Sequence, residues 1–338
     1  MLEAYRMQGM RFGDPSERAR ALEAAANLED RHLDINRSPI LINSILAKHE
    51  LLSEVRDFFK SEQVIEHSVP HIVSKTGACE SHDRIFSFDY YGKEAYLLQS
   101  CQLHQECFLP HFGEVYSINS SFRKEHYFDT NNHLSESTLI ESLCKDVPLE
   151  RELGFIEGMY KKIAKNILER GSKSFEFFGL SNLEALLKPF ERVTYEEAAK
   201  ICGIREGDDF SPEDERRIHT EIGKAVYVMY HPEQIKFFST KRNGKHAVSA
   251  DLYLDGCGEV TGITETESDP KVLEAQFMRS PLKDSRDQYE WYFELHREFD
   301  FHQSGFGMGA ERLLKYACGL PHIALAVPFA RLSGHLNP

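Results

Sequence analysis

Gly305-Phe306-Gly307-Met308-Gly309-Ala310-Glu311-Arg312-Leu313 is the stretch whose reading decides the fold of this chain. Glycine stands at every second position, and then an acid, a cation and an apolar run begin. Without a Cβ, such a backbone can approach a ligand or a neighbouring strand where a side chain would clash. Glu311-Arg312-Leu313-Leu314-Lys315-Tyr316 reads as helix, with Gly319 as its stop. Arg312 then falls in the first turn beside a glycine-lined surface, a good place for a guanidinium facing phosphate oxygens. The spacing differs from the dinucleotide-binding fingerprint, and no βαβ unit follows. A plain glycine-rich turn before a core helix fits the same residues.

The 338 residues suffice for one large domain or two ordinary ones, and 41% apolar residues can fill a sizeable core. Forty Lys and Arg against 54 Asp and Glu leave a net charge of −14. That argues against a chain that holds nucleic acid by overall phosphate neutralisation, though not against a local basic patch. Seven cysteines without a Cys-x-x-Cys pair argue against a disulfide framework or a cysteine zinc site. Met1-Leu2-Glu3-Ala4-Tyr5-Arg6 has no apolar leader, and no apolar run is long enough to span a bilayer. The expectation is a cytoplasmic protein with no membrane partner.

Residues 1–29 are polar and Ala-rich and read as a short arm, leaving 30–338 as one domain without internal repeats. Ser38-Pro39 is a helix start, and apolar residues recur at helical spacing to residue 60. Val64 to Val73 reads as a strand with Pro70 at an edge or interface. Strands are expected at 84–88, 95–98, 115–118 and 139–143, with a helix over 102–109. Residues 148–170 read as a long helix, and 180–224 as mostly helical. Strands return at 225–229, 247–254 and 259–261. Strands clustered early and late with helices between predict an α+β fold on an antiparallel sheet flanked by helices.

Three groups can carry chemistry. Phe122-Arg123-Lys124-Glu125 leads into a polar loop, and a second strand with Glu136 and Glu141 follows. Arg123 can bind phosphate, and Glu125 or Glu136 can accept from an adenine amino group; cross-strand ion pairs on a solvated hairpin fit as well. Asp251 and Glu259 flank the tight turn Asp255-Gly256-Cys257-Gly258, so a hairpin can bring them together. Two hard carboxylates with open positions suit Mg²⁺ bridging nucleotide phosphates, and two edge acids facing water are the bland alternative. The histidines, including His133, show no zinc spacing.

Taken together, the chain resembles the catalytic domain of class II aminoacyl-tRNA synthetases, in the asparaginyl/aspartyl subgroup and nearest its asparaginyl members. The resemblance runs from about Asp30 to Pro338. Asp30-Arg31-His32-Leu33 and the helix–strand ending at Pro70 look like the entry and motif 1. Ser100 to Glu106 looks like the amino-acid loop, and Phe122 to Glu125 with His133 to Glu136 like motif 2. Gly207-Asp208-Asp209, Asp251-Leu252 and Gly258-Glu259-Val260 match further landmarks. Gly305 to Leu313 looks like motif 3, and Pro328 to Arg331 like the closing strand.

The resemblance implies a homodimer formed through the segment ending at Pro70. It also implies ATP and Mg²⁺, and attack of an amino-acid carboxylate on the α-phosphorus with release of pyrophosphate. Arg123 would hold the α-phosphate and the carboxylate, and Arg312 the γ-phosphate. Glu125, His133, Glu136 and Gly309 would complete the ATP site, and Asp251 and Glu259 would ligate the metal. Glu80 would receive the α-amino group. Ser100, Gln102, Glu141, Glu265 and Thr266 would line the amino-acid site.

Departures from the family pattern shape the expectation. About 30 residues stand where the family carries an anticodon-binding barrel. Thr266, between Glu265 and Glu267, stands where the family's Arg contacts the substrate side chain, which favours a neutral or cationic side chain over aspartate. Ser137 replaces an adenine-stacking aromatic, a role Tyr127 or Phe128 can take over, and Asn132 replaces an Arg. The reading that follows is an ATP-dependent ligase passing an activated amino acid to a small amine or other non-tRNA acceptor, with tRNA unlikely as a partner. Aminoacylation of tRNA and a non-catalytic regulatory role are the alternatives.

Overall fold

The computed structural model describes residues 14–75, 83–125 and 131–336. Eight strands build the central sheet of the described residues: β1 Ile65–Glu66, β2 Glu114–Phe122, β3 Glu136–Lys145, β4 Glu191–Thr194, β5 Ala225–Met229, β6 Ser249–Leu254, β7 Gly258–Thr266 and β8 Gln303–Gly309. Their spatial order is β1-β2-β3-β8-β7-β6-β5-β4. The five inner pairings are antiparallel. The two outermost, β1 with β2 and β4 with β5, are parallel. The helices that matter for the cleft are α1 Pro15–Ala26, α2 Pro39–Ser61, α3 Gln102–Glu106, α4 Leu149–Arg170, α5 Pro212–Glu221, α6 Glu290–Glu298 and α7 Ala310–Cys318. This is the α+β arrangement expected, a mainly antiparallel sheet flanked by helices.

The sheet's two faces are set by side-chain alternation. Ser38 caps α2, Pro39 starts it, and Leu41, Leu51, Val55 and Phe59 are buried along it. Phe59 stacks on Tyr116 of β2 at 3.9 Å between centroids and lies 6.5 Å from Phe306 of β8. Along α4 the sequence pattern puts Ile156, Met159, Ile163, Ile167 and Leu168 on one face; the first four are buried and Leu168 half-buried, and the Tyr160 hydroxyl meets Thr261 Oγ1 of β7 at 2.7 Å. Phe306 and Met308 therefore face the helices, and the glycines between them face the opposite way. Gly305 to Gly309 is a strand rather than a turn, and α7 follows at once and ends at left-handed Gly319.

Gly305 shows why this strand is built of glycine. A Cβ there would lie 2.3 Å from Leu143 Cδ2 and 2.4 Å from the Ser142 carbonyl oxygen. The carbonyl belongs to the paired strand β3 and cannot swing aside. Gly305→Ala is expected to destabilise the fold by about 1–3 kcal/mol through overpacking, read as a lower urea midpoint with an unchanged slope.

Several expected elements differ in detail. Val64 to Val73 is two short strands, Ile65–Glu66 in the main sheet and Ile72–Val73 in a separate three-stranded sheet. Pro70 lies between them and donates no backbone hydrogen bond. The expected 102–109 helix divides into α3 and Leu109–Phe112. Residues 180–224 conceal β4, whose parallel partner β5 lies more than 30 residues downstream. Only that distant pairing makes Glu191–Thr194 a strand. In α1, Ala21 and Ala25 are buried in the main core, so the described part of the N-terminal segment docks on the body of the protein. Among the described residues no helix is long and apolar enough to cross a membrane.

Candidate active site

The glycine face of β8 forms the floor of a cleft of about 1200 Å³, bounded by β2–β3, the β6–β7 hairpin and α7. Arg123 sits just past the end of β2, and its Nε is 3.8 Å from Glu125 Oε1. Arg84 Nη1 lies 3.3 Å from the other Glu125 oxygen, so this buried carboxylate is held between two guanidinium groups. His133 lines the same wall. Burial, and then the charges of Arg312, Arg123 and Arg84, push its pKa down to about 3, so it is a neutral imidazole. Arg312, in the first turn of α7, donates from Nε to the Asn132 carbonyl at 3.1 Å and from Nη1 to the Glu259 carbonyl. Three guanidinium groups thus converge on one cleft, an arrangement suited to a polyphosphate.

Asp251 of β6 and Glu259 of β7 meet across the hairpin. The position a Cβ would take on Gly262 is 3.0 Å from Glu259 Oε1 and 3.7 Å from Asp251 Oδ1. Glycine leaves room for these oxygens and for an ion between them. The Asp251 charge, and then burial, raise the Glu259 pKa, as expected of two carboxylates sharing a site. Lys236 Nζ binds both Asp251 oxygens at 2.9 and 2.7 Å, and His231 Nε2 lies 3.2 Å from Oδ2. Burial pushes the His231 pKa well down, so Lys236 supplies the compensating charge. Two hard oxygen donors with open positions fit Mg²⁺, which keeps water and phosphate oxygens among its ligands.

At the other end of the cleft Glu141 is buried. Ser100 Oγ donates to its Oε1, while the Cys101 N–H at 3.0 Å and the Cys101 thiol at 2.8 Å reach Oε2. Gln102 Nε2 lies 3.3 Å from Glu106 Oε1 and 3.5 Å from Thr266 Oγ1. Ser100, Gln102, Glu141 and Gly309 line the cleft, whereas Thr266 is buried outside that lining and meets it only through Gln102.

Besides Thr266, Glu136 and Glu265 lie elsewhere, because neighbours on a strand face opposite sides. Ser137 lines the cleft, so Glu136 points away from it and is exposed. Glu265 faces the helix side, where it accepts from the Leu149 N–H at 3.1 Å, Lys241 Nζ at 2.5 Å and His302 Nε2 at 2.7 Å. The bond from Leu149 anchors the start of α4. Glu80, Tyr127 and Phe128 fall outside the described residues.

Sequence reading missed Arg84, Lys236, His231 and Glu215. Lys236 had a signal, since a buried Asp251 demands a cation, but its position gave no clue to that pairing. Glu215 of α5 lines the cleft. Burial raises its pKa to about 7, with Arg312 opposing and the Glu259 charge adding. Its folded-state pKa lies above the ordinary value of 4.5, so its contribution to stability is lost as pH rises from about 4.5 through 7. Glu215→Gln is expected to flatten that decline, measured as the melting temperature of the two proteins from pH 4.5 to 8.

Residues 23–333 match the family model for class II tRNA synthetases (D, K and N). The asparagine–tRNA ligase of Sorangium cellulosum is 31% identical over 334 residues, spanning 92% of this chain and 74% of the relative. That of Pelotomaculum thermopropionicum is 32% identical, spanning 92% and 73%. A crystal structure of asparaginyl-tRNA synthetase from Pyrococcus horikoshii complexed with asparaginyl-adenylate superposes with a TM-score of 0.85 at 29% identity, covering 92% of this chain and 73% of that one. With the sheet, the converging guanidinium groups and the paired carboxylates in place, this chain belongs to the class II tRNA synthetases of the D, K and N group, ATP-dependent ligases that form an aminoacyl-adenylate.

Proposed function

We propose that this protein activates an amino acid with ATP and transfers it to tRNA. The observation that carries the first step is the convergence of Arg123, Arg312 and the Asp251–Glu259 pair on one cleft. The substrate carboxylate oxygen attacks the α-phosphorus, a new P–O bond forms, and the bond to the β-phosphate breaks with release of pyrophosphate. Arg123 steadies the charge on the α-phosphate, and Arg312 orients the outer phosphates. Mg²⁺ held by Asp251 and Glu259 would offset the charge on the phosphate oxygens. The acyl group then passes to a ribose hydroxyl of tRNA, and AMP leaves. The reading of tRNA as acceptor rests on relatives that are asparagine–tRNA ligases. It replaces the small-amine acceptor expected from the sequence.

The test is amino-acid-dependent ATP–pyrophosphate exchange, followed by incubation of the active amino acid with tRNA. Charging of tRNA is expected; turnover that appears only with hydroxylamine or a small amine would restore the non-tRNA acceptor. The same proposal includes a homodimer through α2 and β1, supported by the exposure of Ile45, Leu46 and Ile65, 36%, 38% and 44%. Sedimentation is expected to give a dimer, and Leu46→Glu to give monomer.

A further inference from the structure

We infer that Arg18, on α1, is a further phosphate-binding residue that meets the outer phosphates of bound ATP. The inference deepens the ATP-binding part of the function proposed above and rests on it. Arg18 precedes residues 23–333, which match the family model, so that match assigns it no role.

Sequence and packing put this side chain on the docked face of α1. Residues 18, 21 and 25 are three and then four positions apart, so they share one stripe of the helix. Ala21 and Ala25 are buried in the main core, and α1 packs there against Ile323–Ala326. Arg18 stands one turn nearer the N-terminus, where the stripe leaves the core and borders the cleft. It is exposed, so a ligand in the cleft can reach it. Arg20 lies on another face of the helix and does not line the cleft.

The same packing ties α1 to Arg312. The Ile323 N–H donates to the Asn131 carbonyl at 2.9 Å, and the next residue, Asn132, receives two cations. Its carbonyl accepts from Arg312 Nε at 3.1 Å, and its Oδ1 accepts from Lys315 Nζ at 2.7 Å. Lys315 Nζ also donates to the Gly256 carbonyl at 2.6 Å. Arg312 and Lys315 thus spend donors on protein oxygens. Among the described residues, no ion pair or side-chain hydrogen bond holds the Arg18 guanidinium. Glu215 and Asp255 line the cleft too, but neither is paired with it.

Burial lowers the Lys315 pKa, Cys257 opposes, and the charges of Arg312 and Arg18 lower it further. The three cations therefore stand within electrostatic reach of one another, an arrangement that is unfavourable until an anion comes between them. Arg312 is the residue proposed for the outer phosphates, so the anion that fits is that end of the triphosphate. A guanidinium suits it because it offers several N–H donors to phosphate oxygens at once.

The test is calorimetric titration of the full chain with ATP and with AMP in the presence of Mg²⁺, which needs no knowledge of the amino acid. Arg18→Ala is expected to weaken ATP about 10-fold and AMP less than about twofold, since AMP carries only the α-phosphate. Arg18→Lys keeps the charge and is expected to hold ATP within about threefold of the parent. Arg20→Ala is expected to change neither affinity. An unchanged ATP affinity in Arg18→Ala overturns the inference. So does an equal loss for ATP and AMP, which marks a structural role, or a loss confined to tRNA charging, which assigns Arg18 to the acceptor. A parent that binds ATP but exchanges pyrophosphate with no amino acid overturns the adenylating function and leaves the Arg18 contact to be decided by the same titrations. A parent that binds neither nucleotide overturns both.

Discussion

Arg123→Ala is expected to lower amino-acid-dependent ATP–pyrophosphate exchange by about 10³-fold or more, with little change in melting temperature. The side chain is 36% exposed, and its ion pair with Glu125 is long at 3.8 Å. A pair this long, with its cation partly in solvent, contributes about 0–1 kcal/mol. Glu125 keeps Arg84 as a partner when Arg123 is removed, so no buried carboxylate is orphaned. The loss is therefore confined to chemistry. In the proposed reaction a guanidinium at the end of β2 meets charge that grows on the α-phosphate as the carboxylate attacks. Tight binding of ATP by the variant, without exchange, would show that Arg123 acts in the transition state rather than in the ground state. Exchange at parental rate would remove Arg123 from the reaction.

The second large effect has opposite signs for stability and activity. Glu259→Gln is expected to stabilise the metal-free protein above about pH 5 and to lower exchange by about 10²-fold or more. The Glu259 pKa is raised chiefly by Asp251, and a raised carboxylate pKa means that ionisation costs stability. That cost is absent below the ordinary value and grows as pH rises through the folded-state value. An amide cannot ionise, so the variant escapes it. The same substitution removes one of the two hard oxygen donors over Gly262 proposed to hold Mg²⁺. Two measurements decide the matter: melting temperature against pH without metal, and exchange against Mg²⁺ concentration. Stabilisation without loss of exchange would show two crowded acids with no metal role. This trade is expected where charges are crowded together for a ligand rather than for the fold.

Much of the framework is legible in the sequence. Ser38-Pro39 starts a helix because serine satisfies an orphan N–H and proline needs none, and α2 begins there. The 3.6-residue stripe of α4 and the glycine stop of α7 follow from the same local chemistry. The pairing of Asp251 with Glu259 was legible because a tight turn separates their strands, so chain proximity enforces spatial proximity. β4 was not legible, since a four-residue segment becomes a strand only when a distant partner supplies its hydrogen bonds.

The faces of the strands were the other limit. Sequence places Glu136 beside Ser137 and Glu265 beside Thr266, and alternation guarantees that each pair splits between two sides. Which member meets the cleft depends on which side the helices cover. Phe59 against Phe306 and Tyr160 against Thr261 settle that, and both contacts join residues more than 100 positions apart. Lys236 and His231 reach Asp251, and Arg84 reaches Glu125, over shorter separations that local pattern does not reveal either. By itself the sequence determined most of the elements, the order of the motifs and the kind of chemistry, because those depend on neighbours along the chain. Only the tertiary structure decided which charges share a surface, because burial and packing are settled by residues that meet after the chain has folded.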